Sequence, residues 1–271
     1  MEILRYTAFT RSPEGGNPAG VVLDADELSD ERMLRIAADL GYSETAFLSR
    51  IRPDSARIRY FTPLAEIAFC GHATIASTAA LATHAGATAV DLETNAGTVP
   101  VTFGDGLATL HAVDTTVGPL DPALLAELLE ALRIDPEQLD STLPPALIHG
   151  GNTHTLIAVS SPALDALDYD ADALLALQRR EGWDGAMPVV ARIDALTFAS
   201  RNPFPTGGIR EDPATGSTAA GLGAYLRDGG HVDAPTTVTV RQGHHIGRPS
   251  EILVDIPAEG RIAVRGAAIE L

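Results

Sequence analysis

Short apolar stretches bounded by turn residues alternate along this chain with a few segments of helical spacing. Residues 1–8 and 19–23 read as strands on either side of a turn-rich loop, 9–18, that carries Pro13, Gly15, Gly16 and Pro18. Ser29 is a helix N-cap type with Asp30 and Glu31 in the first turn; Met33, Ile36, Ala37 and Leu40 share one face, and Gly41 supplies the stop. Strands are expected at 45–49 and 57–61. A helix at 72–84, rich in Ala and Thr and ended by Gly86, follows, then short strands over 88–113. Residues 114–146 combine five prolines with apolar spacing at Leu124, Leu125, Leu128, Leu129 and Leu132, the pattern of a connecting helix.

The order then repeats. Gly15-Gly16-Asn17 returns 135 residues later as Gly150-Gly151-Asn152, and an apolar strand follows both, 155–159 in the second case. A helix at 171–180 and strands at 187–192 and 196–200 match those of the first half. Ala73-Thr74-Ile75-Ala76-Ser77-Thr78 is answered 141 residues on by Ala214-Thr215-Gly216-Ser217-Thr218-Ala219. Short strands over 237–269 close the second half. Matched elements in matched order imply a duplicated α+β unit, with domains at 1–115 and 116–271 and the last strand able to pack back on the first domain. If the halves face each other, two helix starts meet at a cleft, a favoured place for small-ligand pockets.

In the second small-residue helix, Asp212 is the expected N-cap and Pro213 the first helical residue. Helix starts leave amide N–H groups unsatisfied and carry partial positive charge, so the amides near 215–218 and the Ser217 hydroxyl suit a small anion such as a carboxylate. Glu44, at the mouth of an apolar strand beside Tyr42 and Phe47, is a candidate proton carrier, desolvation raising its pKa; the plain alternative is an exposed strand-end carboxylate. His72 opens the first small-residue helix, where the dipole favours a neutral imidazole. Asp212 either orients His72 across the cleft or only caps.

Composition narrows the classes. A chain of 271 residues with 45% hydrophobic content holds one large core or two ordinary ones. The formal charge of −17 repels phosphate backbones, which argues against nucleic acid. No apolar run reaches membrane-spanning length and the start lacks a secretory signal, so a cytoplasmic protein without a membrane partner is expected. Cys70 is the sole cysteine, which excludes an intrachain disulfide and a thiolate zinc cluster. Adjacent His244 and His245 point apart and read as surface residues, and no metal motif is evident. Neither a dinucleotide fingerprint, a phosphate loop nor a Gly-x-Ser-x-Gly elbow is present.

Gly15-Gly16-Asn17-Pro18, Ser43-Glu44-Thr45-Ala46-Phe47, Cys70-Gly71-His72-Ala73-Thr74 and Glu211-Asp212-Pro213-Ala214-Thr215-Gly216-Ser217 together resemble the PhzF-like phenazine-biosynthesis family of the diaminopimelate epimerase-like superfamily. The resemblance spans essentially the whole chain. It implies two pseudo-twofold domains, each a curled, mostly antiparallel sheet around a central helix, usually as a homodimer. It further implies a cofactor-independent isomerase that moves a proton between carbons of a small carboxylic acid, as in isomerisation of trans-2,3-dihydro-3-hydroxyanthranilate. Glu44 would be the acid/base, with His72, Asp212 and Ser217 in the catalytic network. Asn17, Gly71, Gly216 and Ser217 would bind the substrate carboxylate, and no metal would be needed. Superfamily racemases place a cysteine at each helix start; here Cys70 matches the first but Ala214 stands at the second, which excludes a two-thiol mechanism. Single-base racemisation or epimerisation, and a silent metabolite-binding protein, are the alternatives.

Overall fold

A computed structural model describes residues 2–271. The chain forms two compact units, Met1–His111 with Ala263–Leu271, and Ala112–Ile262. In the first, β1 (Leu4–Ala8) and β2 (Asn17–Val22) form an antiparallel pair. Helix α1 (Asp30–Leu40) then carries the chain to β3 (Glu44–Ser49), parallel to β2. Its start and stop are those expected: the Ser29 side chain accepts from Arg32 N–H, and Gly41 takes a left-handed φ of 68°. Met33, Ile36 and Ala37 bury one face against Val22, Phe47 and Phe61. β4 (Ser55–Phe61) and the short β5 (Glu66–Ile67) precede α2 (Gly71–Ala85); β6 (Ala89–Thr94), β7 (Gly97–Gly104) and β8 (Leu107–His111) follow.

The second unit opens with β9 (Thr116–Pro119) and α3 (Pro122–Leu132). β10 (Ala146–His149), β11 (Thr153–Ala158), α4 (Ser161–Asp165), α5 (Ala171–Glu181), β12 (Val189–Arg192) and β13 (Thr197–Arg201) come next. A small hairpin of β14 (Pro203–Phe204) and β15 (Ile209–Glu211) leads into α6 (Gly216–Asp228), then β16 (Thr236–Gln242) and β17 (Ser250–Ile256). The chain end, β18 (Ala263–Gly266) and β19 (Ala268–Glu270), pairs with β8 and β1 of the first unit. The closing strands expected over 237–269 are therefore divided, only β16 and β17 staying with the second unit.

Strand pairing carries the repeat. From β1 the successive pairings are antiparallel to β2, parallel to β3, antiparallel to β4, parallel to β6 and antiparallel to β7. From β10 the same alternation runs through β11, β12, β13, β16 and β17. This is one α+β topology used twice. In the first unit α2 touches β19 and β1 at one end of the strand order and β7 and β8 at the other, so the sheet curls around the helix; α6 is likewise touched by β9, β10 and β17.

A helix wrapped by strands must be apolar or small all round, which explains the Ala, Gly, Ser and Thr runs. His72 through Leu81 of α2 are all buried. On α6 a Cβ at Gly221 would come within 2.9 Å of Ile148, and one at Gly223 within 2.8 Å of Val254, so the sheet sits closer than any larger residue allows. No helix among the described residues is long and apolar enough to cross a membrane.

Candidate active site

The sequence-predicted residues fall into two groups, one in each unit. In the first, Asn17 opens β2, Glu44 opens β3 and His72 lies in the first turn of α2, whose N-cap is Cys70. The β2/β3 register places Glu44 beside Ala19, two residues after Asn17. Strand pairing thus brings residues distant in sequence to one helix start. His72 Nε2 stands 3.3 Å from Glu44 Oε2, with the two side chains 8% and 16% exposed. The pair is in ion-pair range but not aligned as a hydrogen bond, and the enclosed Oε2 receives no hydrogen bond. Leaving a buried carboxylate oxygen unpartnered costs folding free energy.

Asn17, 2% exposed, donates its amide N–H to His72 Nδ1 over 3.2 Å, which leaves the ring proton on Nε2, toward Glu44. Burial pushes His72 below the ordinary imidazole range, and the Glu44 charge and the Pro18 carbonyl only partly oppose it. The result is the neutral imidazole expected at a helix start. Cys70 Sγ lies 3.4 Å from Nδ1 and 3.9 Å from Nε2 of the same ring. Thr74 braces this turn: its hydroxyl donates to the Cys70 carbonyl at 2.7 Å and meets the Tyr60 hydroxyl at 2.7 Å. Burial raises the Tyr60 pKa and keeps the phenol protonated. Gly71 is the first helical residue, so its amide belongs to the unsatisfied first turn.

Glu44, Cys70 and His72 also form a set of metal-capable atoms, all within 4.8 Å of one another. The sequence showed no such motif because Glu44 reaches the other two only through strand pairing.

In the second unit the structure corrects the helix start. Helix α6 begins at Gly216 with Thr215 as N-cap, not at Pro213 with Asp212 as cap. The Asp212 carboxylate is used within the turn, accepting the Thr215 hydroxyl at 2.5 Å. Gly216 and Ser217 are then the first two helical residues. Two buried amides that sequence reading missed hold this turn. Gln242 donates to the Asp212 carbonyl at 2.6 Å and to Thr215 Oγ1 at 3.0 Å, while its own carbonyl oxygen accepts Thr215 N–H at 3.1 Å. Asn202 donates to Thr215 and Thr218 hydroxyls at 2.9 and 3.0 Å. Each had a signal: Gln242 continues the inward alternation of Val238 and Val240, and Asn202 that of Phe198 and Ser200, where an apolar residue is the default.

Next to Asp212, buried Glu211 pairs with Arg201 at 2.5 Å, and that guanidinium also donates to the Leu164 and Leu167 carbonyls. A buried ion pair with its remaining donors bonded anchors the segment instead of straining it. His244 and His245 are exposed as expected, with His245 against Asp165 at 3.0 Å.

A duplicated α+β fold wrapped about two small-residue helices, with a carboxylate and a neutral imidazole at one helix start, defines an epimerase-like enzyme of the proton-transferring, isomerase class. The chain belongs to a particular family within that class. Residues 6–271 match the family model described as phenazine biosynthesis-like protein. An isomerase from Deinococcus radiodurans is 37% identical over 93% of this chain and 86% of its own. The trans-2,3-dihydro-3-hydroxyanthranilate isomerase of Pseudomonas chlororaphis is 36% identical over 94% of this chain and 89% of its own. Among solved structures, a PhzF-family phenazine biosynthesis protein from Bacillus anthracis matches with a TM-score of 0.87 and 25% identity over 100% of this chain and 98% of its own.

Proposed function

We propose that this isomerase shifts a proton between two carbons of a small, cyclic or amino carboxylic acid without a cofactor, with Glu44 as the acid/base. The observation that carries the reading is the Glu44 carboxylate held 3.3 Å from His72 with one enclosed oxygen that no hydrogen bond neutralises, a group suited to carry a proton. Glu44 takes the proton as a carboxylate and returns it to the second carbon on the same face. His72 stays neutral throughout, its Nε2–H steadying the carboxylate charge and Asn17 fixing its tautomer.

The amides of Gly71, Gly216 and Ser217 are assigned to the substrate carboxylate, on the resemblance and on the chemistry of helix starts, and Asp212 to the hydrogen-bond network around them. Trans-2,3-dihydro-3-hydroxyanthranilate, the substrate named for the Pseudomonas relative, is the first candidate. The same reading takes the working form as a cytoplasmic homodimer. Single-base epimerisation is the second reading, favoured by the Cys70 thiol 3.4 Å from the His72 ring.

The test is turnover of that acid, and of a panel of small unsaturated and α-amino acids, followed by proton NMR in deuterated water. A double-bond shift with deuterium at the new carbon, lost in Glu44→Gln while ligand binding persists, is the expected result. Wild-type rates in Glu44→Gln would refute the role of Glu44. Deuterium only at an α-carbon, with inversion and no shift, would hand the site to the second reading.

A further inference from the structure

We infer that Glu44, Cys70 and His72 form a binding site for a soft divalent cation such as Zn²⁺, and that occupancy switches the enzyme off. The inhibitory half of this inference rests on the assignment of Glu44 above; the binding half does not.

Three ligand types of graded softness meet here: a thiol, an imidazole and a carboxylate. Zinc takes these three together in tetrahedral sites that keep a fourth position for water. From the usual Zn–N, Zn–O and Zn–S bond lengths, a tetrahedron has N···O and S···N edges of about 3.4 and about 3.6 Å. The observed separations, Glu44 Oε2 to His72 Nε2 at 3.3 Å and Cys70 Sγ to His72 Nε2 at 3.9 Å, lie within a few tenths of an ångström of those edges. The carboxylate edge is thus set; the thiol, nearest Nδ1 at 3.4 Å, has to swing to the Nε2 side of the ring to complete the other.

Two further features favour a cation. Glu44 Oε2 is enclosed without a hydrogen-bond donor, and a metal would supply the missing positive partner. The chain carries a formal charge of −17, which concentrates cations at its surface. Thiolate and imidazole select zinc and cadmium over magnesium and calcium, which prefer oxygen shells.

Binding is proton-coupled. The Cys70 S–H bond breaks as the S–metal bond forms and the proton goes to solvent; the Glu44 carboxylate donates a lone pair unchanged. His72 gives its Nε2 lone pair and moves the ring proton to Nδ1, where the Asn17 amide, turned to present its oxygen, accepts a hydrogen bond from it. One proton is therefore released per ion, and affinity rises with pH. A metal so held occupies the oxygen that would otherwise abstract the substrate proton.

The test uses the full chain without a histidine tag, stripped with chelator. Titration with Cd²⁺ should raise a thiolate-to-cadmium ultraviolet band that saturates at one ion per chain. Zn²⁺ should stop turnover reversibly, with EDTA restoring it, and Mg²⁺ should do neither. Cys70→Ser should lose the cadmium band and weaken Zn²⁺ binding, followed by calorimetry, at least about tenfold, the scale on which even a ligand's outer-shell partners act; its melting curve confirms that it folds. No cadmium band, unchanged Zn²⁺ affinity in a folded Cys70→Ser, or turnover that rises with Zn²⁺ would each overturn the inference. If instead the band appears in a chain that turns over nothing, the metal site stands and the Glu44 reading falls.

Discussion

The side-chain amide of Asn17 donates to His72 Nδ1 across 3.2 Å, and this bond decides which imidazole nitrogen carries the proton that faces Glu44. Asn17→Asp reverses the polarity. The new carboxylate accepts a hydrogen bond from Nδ1–H and raises the His72 pKa, which burial otherwise lowers. The substitution should reduce kcat on the order of 10²-fold, the lower range for one acid–base contribution. It should also move any His72 limb of the pH–rate profile to higher pH. Steady-state kinetics across pH check this; a rate and profile equal to wild type would remove Asn17 from the machinery.

His154 is fully buried in β11 with Nδ1 donating to the Ala186 carbonyl at 2.7 Å, and its Nε2 has no partner. Burial first of all, with His149 adding, pushes its pKa down to about 4, against the opposing Ala186 carbonyl and the Asp184 charge. Above the ordinary imidazole value of about 6.5 both folded and unfolded chains carry it neutral. As pH falls below that, the unfolded chain takes the proton first, so stability is lost progressively down to about pH 4. The full gap is roughly 3 kcal/mol, and buried His72, also lowered, adds in the same direction. Urea midpoints should fall between about pH 7 and pH 5. His154→Gln should flatten that slope, and a slope identical to wild type would assign the acid sensitivity elsewhere.

Gln242 shows which kind of residue sequence reading reaches and which it does not. Local signals with one dominant cause were legible: the Ser29 cap and Gly41 stop of α1, the small-residue helices, and the repeat of Gly-Gly-Asn before each apolar strand. Asp212-Pro213 pointed to a helix start that the fold moved to Gly216, because the Asp212 carboxylate is taken by the Thr215 hydroxyl and the buried amides of Gln242 and Asn202 fix the turn between them. Those partners come from other strands, as does Glu44 for His72. Their meeting depends on register and sheet curl, which no local window contains.

The buried amide of Gln242 yields its own prediction. Gln242→Leu keeps the bulk and removes every polar contact, leaving the Thr215 N–H and the Asp212 carbonyl to lose their partner in a buried place. At about 1–3 kcal/mol for each of the two orphaned groups, a loss of roughly 2–6 kcal/mol is expected. Gln242→Glu retains the acceptor for Thr215 N–H but cannot donate to Asp212 and adds a charge beside it. Both variants should raise KM for the carboxylate substrate more than they lower kcat, since the turn holds the start of α6. Denaturant unfolding with kinetics distinguishes this from a purely structural role, in which KM is unchanged in the folded fraction.

Gly150 and Gly41 look alike in sequence but meet different surroundings. A Cβ on Gly150 would lie 2.3 Å from the Ser217 carbonyl oxygen and 3.1 Å from the Gly221 nitrogen. Both are backbone atoms of α6, so no rotamer change relieves the clash and the helix start itself must move. Overpacking of this kind costs about 1–3 kcal/mol or more. Gly41, by contrast, has a left-handed φ of 68° but nothing within 4 Å of its missing Cβ, so Gly41→Ala meets only backbone strain of about 1–2 kcal/mol. The two substitutions can therefore cost similar stability and still differ in activity. Gly150→Ala displaces Ser217 and should raise KM several-fold at a temperature where the chain remains folded. Gly41→Ala, three residues before Glu44, should lower the melting temperature, and any effect on activity should appear in kcat and not in KM. Equal kinetics in the two variants would mean that the position of Ser217 does not matter to the reaction, and the assignment of its amide to the substrate would have to be withdrawn.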